Sequence, residues 1–206
     1  MATAADLAAG VTTSLKLLEQ ALSRISAKDG EGSRAFMKVY EETAWAEAEA
    51  SDKLRAQGVL RSPLEGLPVS IKDLFDVGGD VTRAGSKALA GGPVAATDAV
   101  AVARLRAAGA VIVGRTVTVE FAFGGVGLNP HYGTPKNPYD RGSGGRIPGG
   151  SSAGAAVSVS DGMCVMGLGT DTRGSVRIPA ALCGVTGFKP TASRVSKEGV
   201  FPLSCA

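Results

Sequence analysis

Hydrophobic positions in the first 58 residues recur with helical spacing and predict two amphipathic helices. A polar, glycine-containing segment, 28–32, separates the two stretches. The residues that share one face are Leu15, Leu18, Leu22 and Ile25 in the first stretch and Phe36, Val39, Tyr40, Thr43 and Ala44 in the second, which runs from 34 to 57. We expect both helices to pack on a core rather than to carry chemistry.

From Pro63 onward the pattern changes to short apolar runs bounded by glycine and proline. The predicted strands are Gly66–Ile71, Ala110–Val113 and Met163–Leu168, and the predicted helices are Val100–Ala107 and Ser151–Ser160. Strands that alternate with helices of this length are typical of an α/β sheet, in which loops at the strand ends carry the chemistry.

Residues 124–154 are rich in glycine, proline and asparagine. A flexible linker is one interpretation of this composition. The segment leads directly into a predicted helix and a buried strand, which favours an ordered loop instead.

Composition excludes several classes of protein. The 206 residues are 44% hydrophobic and 20% charged, which is typical of a globular chain without a membrane span. A net charge of +3 and 5% aromatic residues give neither a basic stripe nor stacking platforms for nucleic acid. Asp6 and the lack of a basic region before an apolar run argue against a secretory signal, so we expect a cytoplasmic protein. The sequence does not decide whether the protein is a monomer or a homodimer.

Cysteine and histidine usage limits the chemistry further. Cys164, Cys183 and Cys205 are 19 and 22 residues apart and form no CxxC pair, so neither a disulfide framework nor a zinc site fits. His131 is the single histidine, so a multi-histidine metal centre within this chain is excluded.

Ser175 lies in a tight turn between an apolar strand and a short helical stretch. Free backbone N–H groups in such a turn can hold a developing oxyanion. The alternative is a helix N-cap serine.

Ser151 and Ser152 begin a second candidate helix, where the alternative is again a cap. Ser151 and Ser175 are 24 residues apart, on either side of one apolar strand, and we expect both to be exposed. They can therefore meet at one edge of a sheet.

Lys72 ends the apolar run that begins at Leu67. A lysine at the end of a buried strand loses hydration, which lowers its pKa and lets it act as a neutral base. The alternatives are a side chain that reaches solvent or a pair with Asp73 or Asp76.

Competing motifs fail on spacing or order. Gly150–Gly154 matches the GxSxG nucleophile elbow, but that arrangement needs a histidine downstream and His131 lies upstream. None of the nine lysines has a serine three residues before it, which disfavours the SxxK arrangement. No GxxxxGK[ST] loop is present, and no GxGxxG opens a helix after a strand.

Two segments together resemble the amidase signature family: Pro148–Gly154, and the run from Gly169 to Ala181 that contains Ser175. Further segments that match its order of features are Leu64–Asp73, Glu120–Ala122, Asn129–His131 and Cys183–Thr191. The resemblance implies an α/β amidase-signature fold, a mixed β-sheet core flanked by helices.

The resemblance also implies a Ser-Ser-Lys triad, with Ser175 as nucleophile, Ser151 as bridging serine after a cis Gly150–Ser151 peptide bond, and Lys72 as base. Amides from Thr172 through Arg173 and Gly174 to Ser175 would hold the oxyanion of a small-molecule amide substrate. An acyl-enzyme would form without a metal or organic cofactor.

Two residues depart from the family pattern, Ala153 and Arg173, each where glycine is common. Arg173 would disturb the oxyanion geometry if its position needed a positive φ, and its side chain could instead narrow the pocket or meet a polar substrate. Asp171 and Arg177 are expected to form a structural pair.

Members of the family are longer, so we expect a partial amidase domain over 1–206, truncated after its N-terminal half, with N-terminal helices in 1–58 and the catalytic α/β core in 59–206. The expected function is hydrolysis of a carboxamide. The alternatives are the glutaminase subunit of a tRNA-dependent amidotransferase, and a truncated, non-catalytic remnant that acts as a binding module.

Overall fold

The computed structural model describes residues 2–204, which form seven α-helices, three short 3-10 helices and four strands with connecting loops. The helices are α1 (Ala2–Ala8), α2 (Ser14–Ser26), α3 (Gly32–Ala35), α4 (Glu41–Ala56), α5 (Val100–Ala107), α6 (Ala153–Ser160) and α7 (Arg177–Cys183). The strands are β1 (Phe36–Val39), β2 (Pro68–Lys72), β3 (Val111–Thr116) and β4 (Met166–Leu168). Cys205 lies outside the described residues.

The four strands form one mixed sheet in the order β1-β3-β2-β4. Strand β2 is parallel to both β3 and β4, whereas β1 is antiparallel to β3. Every residue of β2 and β3 is buried, as expected for parallel strands covered on both faces. The mixed α/β class predicted from the sequence is confirmed.

Helices cover both faces of this sheet. Successive residues of β3 point to opposite faces: Val111 and Val113 pack with helices α2, α4 and α6, whereas Ile112 packs with α5 and with the apolar residues of β2. The predicted helix Val100–Ala107 is confirmed at both ends. The three predicted strands overlap β2, β3 and β4, and only the positions of their ends differ by a few residues.

The second N-terminal helix was predicted to begin too early. Residues Phe36–Val39 form strand β1, and helix α4 begins only at Glu41. The backbone of β1 pairs with the end of β3, from Gly114 to Thr116. This pairing satisfies the backbone N–H and C=O groups that would bond to one another in a helix. Helix α1 was not predicted.

The glycine-rich segment 124–154 is ordered through buried side chains. Asn129 donates to the carbonyls of Gly85 and Thr118 at 2.8 and 2.7 Å. Asn137 donates to the carbonyls of Ile147 and Leu182. These bonds confirm the prediction of an ordered loop over that of a flexible linker.

Within residues 2–204, no helix has the length and apolar character needed to cross a lipid bilayer. Cys164 and Cys183 are buried free thiols.

Candidate active site

Lys72 is the last residue of the central strand β2, and its side chain is completely buried. Its Nζ lies 2.7 Å from Ser151 Oγ, 2.9 Å from Ser152 Oγ and 2.8 Å from Thr170 Oγ1. The amine therefore contacts three neutral hydroxyls. Of the alternatives for this lysine, neither a path to solvent nor a pair with Asp73 or Asp76 is observed.

Burial lowers the pKa of Lys72 from 10.5 to about 7, and the negative charge of Asp171 opposes this shift only in part. The cause is desolvation, which disfavours the charged amine more than the neutral one. A lysine with a pKa in this range can exchange protons near neutral pH.

Ser151 lies two residues before helix α6 and is held through its main chain. Its carbonyl accepts hydrogen bonds from Thr118 Oγ1 at 3.0 Å and from the N–H of Val119 at 3.1 Å. The Gly150–Ser151 peptide bond is cis, in agreement with the resemblance. Ser151 is completely buried, so the expectation that it is exposed was wrong.

Ser152 and Thr170 are contacts of Lys72 that sequence reasoning did not assign. The Ser152 hydroxyl donates to the main-chain carbonyl of Thr170 at 3.3 Å, so it accepts from Lys72. Thr170 follows β4, which is the parallel neighbour of the strand that ends in Lys72. The carboxyl ends of parallel strands meet at one edge, and that rule was the signal available for finding Thr170.

Ser175 lies beside this cluster in the turn before α7. Its carbonyl accepts the N–H of Ser152 at 3.1 Å, which brings the two serine segments together at the edge of the sheet, as predicted. Within residues 2–204 the Ser175 hydroxyl makes no hydrogen bond, and the residue is partly exposed.

Asp171 organises the turn that contains Ser175. Its carboxylate accepts the N–H groups of Gly174, Val176 and Arg177 and two bonds from the Arg177 guanidinium, each at 2.9 Å. The Arg177 side chain, helped by these backbone donors, holds the pKa of Asp171 well below its ordinary value. The structural Asp171–Arg177 pair predicted from the sequence is confirmed.

The same contacts change the set of available oxyanion donors. The N–H of Gly174 donates to Asp171 Oδ1 at 2.7 Å, so its expected role as a free donor does not match this structure. The N–H groups of Thr172, Arg173 and Ser175 make no hydrogen bond within the described part of the chain. Positive φ falls on Gly174, at +129°, and not on Arg173, so Arg173 does not disturb the turn through its backbone.

His131 lies in a separate polar cluster. Its Nε2 is 3.0 Å from Glu120 Oε1, which also accepts from the Ser86 hydroxyl at 2.7 Å. Among the described residues His131 contacts neither Ser151 nor Ser175, consistent with the rejection of a histidine-based nucleophile elbow.

Comparison with known proteins identifies the family to which the chain belongs. The sequence model of the amidase family, described as "Amidase", matches residues 16–205. The chain belongs to the amidase family. Its fold class and its resemblance to that family are therefore confirmed.

Three similar proteins illustrate the range of the family. AtzE of Pseudomonas sp. (strain ADP), which is part of its 1-carboxybiuret hydrolase, is 47% identical over 96% of this chain and 42% of its own length. A glutamyl-tRNA(Gln) amidotransferase subunit of Anaeromyxobacter dehalogenans (strain 2CP-C) is 48% identical over 95% of this chain and 39% of its own length. The structure of the peptide amidase of Stenotrophomonas maltophilia superposes with a TM-score of 0.85 at 40% identity, over 97% of this chain and 41% of its own. The chain thus spans about two fifths of the length of these relatives.

Proposed function

We propose that the protein hydrolyses a carboxamide C–N bond through an acyl-enzyme on Ser175, with Ser151 as the bridging hydroxyl and Lys72 as the base. The observation that carries the proposal is the 2.7 Å contact between Lys72 Nζ and Ser151 Oγ in a fully buried setting. The lowered pKa of Lys72, about 7, supplies a neutral amine near physiological pH.

The contacts of Lys72 direct its lone pair. A neutral amine has two N–H donors and one lone pair. Ser152, which donates its own proton to the carbonyl of Thr170, accepts one N–H, and Thr170 Oγ1 accepts the other. The lone pair then faces Ser151 Oγ, which donates to it.

The reaction begins when Lys72 takes the proton of Ser151, which takes the proton of Ser175 as Ser175 Oγ attacks the amide carbonyl. The N–H groups of Thr172, Arg173 and Ser175 stabilise the negative oxygen of the tetrahedral intermediate. The C–N bond breaks, and the proton returns through the same relay to the nitrogen, which leaves as ammonia or an amine. Water, deprotonated along the same path, cleaves the ester and regenerates Ser175.

The test compares ammonia release by the wild-type protein with that of Ser175→Ala, Ser151→Ala and Lys72→Ala. We expect each substitution to lower kcat by a factor of about 10³ or more, because the members of a relay act as a unit. Ser33→Ala, at an exposed serine, is the matched control and should keep wild-type turnover. Unchanged turnover in any of the three site variants would reject the triad.

A fluorophosphonate probe separates an enzyme from an inert remnant without knowledge of the substrate. Labelling at Ser175 that is lost in Lys72→Ala supports the triad, because a serine hydroxyl needs its base in order to attack the probe. Folded protein that is not labelled would favour the binding module.

A second candidate is the glutaminase subunit of a tRNA-dependent amidotransferase, favoured by the similarity to the glutamyl-tRNA(Gln) amidotransferase subunit described above. Release of ammonia from glutamine that depends on added partner subunits would support it. Turnover of simple amides by the chain alone would favour the stand-alone amidase. A cytoplasmic location and a homodimer stay predictions.

A further inference from the structure

The turn that contains Ser175 has one uncompensated charge. Asp171 and Arg177 neutralise each other through the pair described above. Arg173 is exposed, and within residues 2–204 it makes no ion pair or hydrogen bond through its side chain. The turn therefore presents a free guanidinium to solvent.

Arg173 begins close to the nucleophile and is held there. Only Gly174 lies between it and Ser175, so their Cα atoms are at most about 7 Å apart, and an arginine side chain is long enough to span that distance. Asp171 fixes the main chain on both sides of Ser175, because it accepts the N–H of Gly174 and that of Val176. The main chain at Arg173 is therefore held at a position from which its guanidinium can reach a substrate bound at Ser175.

The other polar side chains of the site do not compete for an anion. Ser151, Ser152 and Thr170 are neutral and already bound to Lys72, which is completely buried beneath them. Within the described part of the chain, a carboxylate on the substrate would thus find Arg173 as the accessible cation beside the nucleophile that has no ion-pair partner, since the exposed Arg177 is paired with Asp171. Guanidinium groups bind carboxylates through two parallel N–H···O bonds, which adds geometric selectivity to charge attraction.

We propose that the side chain of Arg173 binds a carboxylate of the substrate, so that the preferred substrates are amides that carry a carboxylate a few bonds from the scissile carbonyl. This inference rests on the proposed function for the location of the substrate. It assigns the side chain a role in specificity that is separate from the role of the Arg173 N–H in holding the oxyanion.

The experiment compares succinamate with levulinamide, in which a methyl ketone replaces the carboxylate. Binding is measured by NMR on the Ser175→Ala chain, through the Nε–Hε signal of Arg173 and the amide signals of 172–175. We expect succinamate to bind about 10- to 100-fold more tightly than levulinamide, as for one charge-assisted contact. Adding Arg173→Gln should remove the difference, Arg173→Lys should keep part of it, and Arg104→Gln on helix α5 should keep all of it.

Equal binding of the two amides, or a difference that survives Arg173→Gln, would overturn the inference. Hydrolysis assays on the chain with Ser175 intact separate this result from the fate of the proposed function. An Arg173-dependent preference in binding without hydrolysis of either amide would leave carboxylate recognition standing and count against the amidase proposal. Hydrolysis of both amides with a ratio of kcat/KM unaffected by Arg173→Gln would support the amidase and reject the carboxylate contact.

Discussion

Replacing Lys72 with methionine tests the buried amine through stability rather than through turnover. The unfolded chain carries a lysine with a pKa of 10.5, whereas in the folded chain burial lowers that pKa to about 7. Between these values the unfolded state binds more protons, so the contribution of Lys72 to the free energy of unfolding rises with pH. Desolvation of Lys72 then costs about 4 kcal/mol at pH 7 and about 2 kcal/mol at pH 9.

We expect the free energy of unfolding of the wild type, minus that of Lys72→Met, to increase by about 2 kcal/mol between pH 7 and pH 9. Urea unfolding at both pH values measures it, and the subtraction cancels groups that titrate alike in both proteins. In Lys72→Met the three hydroxyls that contact the amine lose a hydrogen-bond partner, and this loss changes the free energy of unfolding by the same amount at both pH values. Lys28→Met, at an exposed lysine, is the control and should show no such increase. A difference that stays constant from pH 7 to pH 9 would refute the lowered pKa.

Two further predictions concern how the site is supported. Gly154→Ala should lower the free energy of unfolding by about 1–3 kcal/mol, because the added Cβ would lie 2.8 Å from the main-chain nitrogen of Val117. Gly142→Ala is the control, because Gly142 has open space around it, and it should leave the free energy of unfolding nearly unchanged. Equal effects of the two substitutions would contradict the close packing at Gly154. Arg115→Met should lower the free energy of unfolding, measured in urea, by about 3–5 kcal/mol, because it leaves the buried carboxylate of Asp73 without its 3.0 Å ion pair. A decrease below about 1 kcal/mol would show that the pair is dispensable.

Elements defined by local sequence were predictable, and those defined by distant partners were not. Helix α5 ends at Ala107 as predicted, since Gly109, at φ +88°, follows with a conformation that stops a helix. Phe36–Val39 was assigned to a helix because its apolar spacing fits one. Its pairing partner on β3 is about 80 residues away, so no window of local sequence contains the interaction that decides its structure.

The candidate site divides in the same way. Local sequence made Lys72, Ser151 and Ser175 candidates and the resemblance gave them roles, and the structure places the first two in contact. Thr170 was missed because, although it follows a predicted strand, its contact with Lys72 depends on that strand lying directly beside β2, and the predicted strands alone do not give their order in the sheet. The use of the Gly174 N–H by Asp171 depends on how the turn folds, which its sequence alone does not determine.

The contacts of Lys72 span 79, 80 and 98 positions along the chain. During synthesis the lysine leaves the ribosome long before its three hydroxyl partners exist, and in that interval it is a hydrated, protonated cation like any other lysine. Its proton becomes readily removable only when the segments carrying the hydroxyls close over it and expel water. The lowered pKa of Lys72 is therefore a property of the folded chain alone, and it arises only after the residues up to Thr170 have been synthesised.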